Sequence, residues 1–67
     1  MFATDDHINI CKSLLRYILR VEGISLDDNS INEIVLRVLA LTYASGGNYT
    51  EGSLDEYIRI YLRNNPV

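Results

Sequence analysis

Cysteine, histidine, proline, methionine and phenylalanine each occur once in these 67 residues, and tryptophan does not occur at all. A single thiol, Cys11, cannot close an internal disulfide, and a lone cysteine suits a reducing compartment. A single histidine, His7, stands one helical turn before Cys11, and that pair leaves a structural zinc two ligands short unless two chains share the ion. Basic residues are also scarce: six Lys and Arg face nine Asp and Glu, for a net charge of -3. Phosphate backbones repel such a chain overall, so nucleic acid would have to meet a local basic patch. No apolar run approaches the roughly 18 residues of a membrane span. The stretch Met1 to Asp6 lacks a basic segment followed by an apolar one, so no secretory signal is expected. The expected setting is soluble and cytoplasmic.

What the chain does have is apolar residues, 48% of the total, which is a globular fraction. The length allows one domain, residues 1–67, whose core is marginal at this size. With no disulfide to help, self-association is the expected support, and a homodimer follows from it.

The apolar residues recur at helical spacing. Thr4, Asp5 and Asp6 form a helix start, with oxygen-bearing side chains for the open N–H groups and negative charge at the positive end of the dipole. Ile8, Cys11, Leu15 and Ile18 then mark one face, which Leu14 and Val21 widen, while Lys12, Arg16 and Arg20 fall on the opposite side. Gly23 suits a left-handed cap, with Ile24 folding back, so the first helix spans residues 5–22.

Ser30 and Glu33 have capping-box spacing and predict a second helix from Ile31 to Ala44. Its main stripe is Ile31, Ile34, Val35, Val38 and Leu41. A second stripe, Leu36, Leu39 and Tyr43, lies elsewhere on the same helix. A helix apolar nearly all round is buried on more than one side. Ser45-Gly46-Gly47-Asn48 breaks it. Ser53 and Glu56 repeat the capping spacing and predict a third helix over 53–63, with Leu54, Tyr57, Ile58, Tyr61 and Leu62 inward. The expected fold is all-α, three helices with the second central and largely buried.

Motifs for chemistry fare badly. Cys11 and His7 lack an orienting third group and an oxyanion donor. Asp27-Asp28-Asn29 with Glu33 is a poor calcium loop, since Asn32 stands where glycine is needed and Val38 where a bidentate acid is needed. Gly46-Gly47 precedes a helix, but no lysine follows as in a phosphate cradle. Asn48-Tyr49-Thr50 is a glycosylation acceptor only in a secreted chain. The expectation is a non-enzymatic protein without cofactor, metal or small-molecule substrate.

The surplus of apolar surface on the second helix points to protein contacts through Leu36, Leu39, Ala40 and Tyr43, with Tyr17, Tyr49, Tyr57 and Tyr61 adding amphipathic area of the kind favoured in interfaces. The expected role is regulatory, by docking a signalling, transcriptional or host target protein or by dimerising. A phage or mobile-element inhibitor would have the same look. The rival is a small DNA-binding regulator using Lys12, Arg16 and Arg20. Against it, the break between the second and third helices is too long for a helix-turn-helix, and the third helix opens with Asp55 and Glu56.

Glu33-Ile34-Val35, Gly47-Asn48-Tyr49-Thr50 and Ser53-Leu54 with Ile58 and Leu62 give the C-terminal half a resemblance to the YmgB/AriR family of small enterobacterial regulators of biofilm formation and acid resistance, which includes connectors of two-component signalling. This chain departs from that pattern by about one extra helical turn between Glu33 and Gly47. The resemblance implies a helical homodimer without enzymatic activity that modulates a stress-response or signalling system through protein contacts, with DNA association also attached to the family.

Overall fold

Local signals fix the ends of the first helix before any packing is considered. In the structure, a computed structural model describing residues 3–66, α1 runs from Asp5 to Glu22. The Thr4 hydroxyl accepts from the His7 backbone N–H at 3.4 Å, and His7 Nδ1 accepts from the Thr4 N–H at 3.1 Å. His7 thus takes the part that glutamate plays in the usual capping box. At the other end Gly23 is left-handed (φ 72°), and the Ile24 N–H donates to the Leu19 carbonyl at 2.8 Å. Ile24 packs on the core as the apolar contact of that cap.

The other two helices start earlier than their capping-box spacing predicts. α2 runs from Asp28 to Ala44, capped by Asp27, whose carboxylate accepts from the Ser30 N–H at 2.8 Å. Ser30 therefore lies inside the first turn, and Glu33 bonds Arg37 at 2.6 Å instead of reaching back. α3 runs from Glu51 to Asn64, capped by Thr50, which accepts from the Ser53 N–H. In both cases an acceptor three residues upstream outcompetes the serine, because every residue gained adds a backbone hydrogen bond once the nucleus exists. Asn48 Oδ1 accepts from the Thr50 hydroxyl at 2.8 Å, so the Asn48-Tyr49-Thr50 triplet serves to brace the start of α3.

The three helices run up, down and up, each touching the other two, in a body of 32 × 22 × 18 Å. The core is built from Cys11, Leu15, Ile18 and Leu19 of α1, Ile31, Ile34, Val35, Val38 and Leu39 of α2, and Leu54 and Ile58 of α3. Buried Thr42 donates its hydroxyl to the Val38 carbonyl at 2.8 Å, which satisfies it within its own helix. Between α2 and α3, Gly46 takes a positive φ of 74°, and Gly47 passes so close to α3 that a Cβ there would lie 2.7 Å from a ring carbon of Tyr57. No helix among the described residues is long and apolar enough to cross a membrane.

Two expectations about facing are corrected. Leu39 belongs to the core, while Leu41 is half-buried and outside the core cluster. Leu39 follows Val35 by one turn on the flank of α2 that α1 covers, whereas Leu41 sits on the other flank. Val21 does not widen the buried face of α1: it is 66% exposed.

Candidate interaction surfaces

Leu36, Ala40 and Tyr43 are separated by four and then three residues, so two turns of α2 bring them onto one face. All three are exposed, Leu36 at 60% and Tyr43 at 55%. Leu39 does not join them: at 5% it is held by the chain's own core. The expected four-residue surface is therefore a three-residue one. Its polar border is the exposed Glu33–Arg37 pair. The Arg37 guanidinium, bonded to the Tyr61 hydroxyl and then to Glu33, is pushed further toward its charged form. That bond ties the far flank of α2 to α3.

The basic side of α1 is partly committed. Arg16 pairs with Asp28 at 3.2 Å, which fastens α1 to the start of α2, and its charge is offset there. Lys12 is half-buried and Arg20 is exposed. Arg16 and Arg20 border a shallow groove floored by Leu19 and Ile31 under Ile24 to Leu26. No continuous cationic stripe of three uncommitted side chains results.

A second apolar strip stands on α1. Tyr17 is 58% exposed and Val21 66%, and the half-buried Ile10 and Leu14 continue their line toward the N-terminus. Ile18 lines a cleft of about 360 Å³ against Leu62 and Arg63 of α3, and the Tyr17–Val21 strip lies beyond Ile18 on that side. The arginines lie beyond Leu19, on the α2 side. The α1 and α2 strips consequently occupy separate faces. The signal for the α1 strip was present as a three-four spacing, but that spacing reads equally well as a wider core face.

The residues that could have carried chemistry have structural work. Cys11 is fully buried, and desolvation pushes its thiol up to about 11, so it stays protonated and is neither a ready nucleophile nor a ready ligand. His7 is occupied at Nδ1 by the cap, and its ring meets that of Tyr49 at 4.7 Å between centroids. Both border a cleft of about 480 Å³ with Tyr43 and the Gly46–Gly47 backbone. Asp27, Asp28 and Glu33 are engaged as a cap and two ion pairs, not gathered about a common point. Among the described residues no group of three or more His, Cys, Asp or Glu is arranged to hold a metal ion.

In comparisons with known proteins, the chain matches no protein-family model, no curated protein and no solved structure.

Proposed function

We propose that this chain is a small regulatory protein, without enzymatic activity, that docks a target protein of a signalling or transcriptional system through the outer face of α2. The observation that carries the reading is the exposure of Leu36 and Tyr43 on one face of a helix whose opposite face is the core. Covering such a side chain contributes roughly 1.5–3 kcal/mol, and leaving it in water creates a sticky patch on a domain with little stability to spare. Ala40 between them lets a partner helix approach closely. The exposed face supports docking, and the regulatory role is the one that the resemblance to the YmgB/AriR regulators implies.

Capture on immobilised chain tests it. The wild type and a control altered on α3, Glu56→Gln, should retain the same protein from a lysate of the native host, and Leu36→Asp should lose it. Retention unchanged by Leu36→Asp contradicts the assignment. Retention of duplex DNA instead, falling steeply with salt and lost on Lys12→Gln with Arg20→Gln, would favour the DNA-binding reading.

A further inference from the structure

We infer that α1 pairs antiparallel with α1 of a second copy of this chain, along Ile10, Leu14, Tyr17 and Val21. Their four-three-four spacing is that of a seam by which two helices pack knobs into holes. His7, three residues before Ile10, extends the line to the first turn.

Charge selects the occupant and the direction. Asp6 and Arg20 stand on one flank of the strip, each two turns from Ser13, and all three are exposed. Neither Asp6 nor Arg20 makes an ion pair among the described residues. A two-fold axis beside Ser13 exchanges their positions, so Asp6 of each copy meets Arg20 of the other, and the pair forms twice. The same axis sets Ile10 against Leu14 of the second copy and Tyr17 against its His7, while Val21 closes over its first turn. A parallel two-fold pairing would put these edges of the two copies on opposite sides of the seam, where neither Asp6 nor Arg20 meets its opposite charge. The small Ser13 at the axis lets the two backbones approach, and the opposed helix dipoles attract.

The 18 residues of α1 span about 27 Å. One helix pair of that length covers less than the roughly 800 Å² per partner of a standard interface, so the dimer dissociates on dilution. It leaves the α2 face uncovered. The inference does not rest on the docking reading, and either can fail alone.

Sedimentation equilibrium from micromolar to millimolar chain tests it. The wild type should dimerise, and Tyr17→Asp should weaken self-association at least tenfold. Asp6→Arg and Arg20→Asp should each weaken it about tenfold, because each places like charges together twice. An equimolar mixture of those two variants should recover the wild-type affinity to within about threefold, since the mixed dimer pairs opposite charges at both ends. All three positions are exposed, so circular dichroism should show unchanged helix content. A wild type monomeric throughout overturns the inference. So does self-association lost on Leu36→Asp but indifferent to Tyr17→Asp, and so does a mixture no tighter than its components.

Discussion

At the scale of single residues, two positions carry consequences that composition alone does not reveal. Gly47 has ordinary backbone angles, so its requirement is one of space: a methyl group there would press into the Tyr57 ring and against Thr42. Gly47→Ala should destabilise by about 1–3 kcal/mol, read from urea denaturation, as overpacking does elsewhere. Gly52, which has open space at its Cβ and lies within α3, should instead gain slightly on Gly52→Ala. Cys11 supplies a pH signature. Its folded-state pKa, about 11, lies above the ordinary thiol value of 9.0, so the folded chain holds the proton where the unfolded chain releases it. That contribution is complete below pH 9 and is lost as pH rises toward 11. Melting the wild type beside Cys11→Ala across that window should show the wild type losing stability faster. Parallel curves would mean that the thiol is not desolvated.

At the scale of helices, the caps separate what could be read from what could not. Both ends of α1 were legible because Thr4, Gly23 and Ile24 each have a single reasonable role. The starts of α2 and α3 were not, because each offers two caps three residues apart, Asp27 or Ser30 and Thr50 or Ser53, and spacing cannot choose between them. Substitution can. Thr50→Ala should cost about 1 kcal/mol, with Ser53→Ala near neutral. Asp27→Ala should lower the melting midpoint while Ser30→Ala barely moves it. The Ser30 hydroxyl and then its N–H hold the Asp27 carboxyl below the ordinary carboxylate range, so this cap acts above that range and fades only as pH falls through the depressed value. Sequence also placed Leu36 and Tyr43 correctly as surplus, yet assigned Leu39 to the same stripe. The arc of α2 that is buried depends on where both neighbours sit, and only packing shows that α1 reaches Leu39. The α1 strip is illegible in the sequence for the same reason: Val21 is one turn from Tyr17 and two from Leu14, and periodicity cannot say how far around a helix the core extends.

At the scale of the molecule, the two strips divide the surface between an expected partner and an expected second copy. Leu36 and Tyr43 stand outside the core, unlike Ile10 and Leu14 of the α1 strip, which pack against it, so a change at Leu36 should separate stability from binding. Leu36→Asp should leave the thermal midpoint close to that of the wild type, whereas Leu39→Ala should cost about 2–5 kcal/mol by opening a cavity. Docking through α2 requires Leu36 and Tyr43 to be accessible in the dilute chain and covered in use. Hydroxyl-radical footprinting of the dilute chain, and of the chain in complex with its captured target, tests this most directly. Leu36 and Tyr43 should be modified readily in the first and protected in the second, with Leu39 protected in both. Equal modification of Leu36 and Tyr43 in the two states would contradict the account.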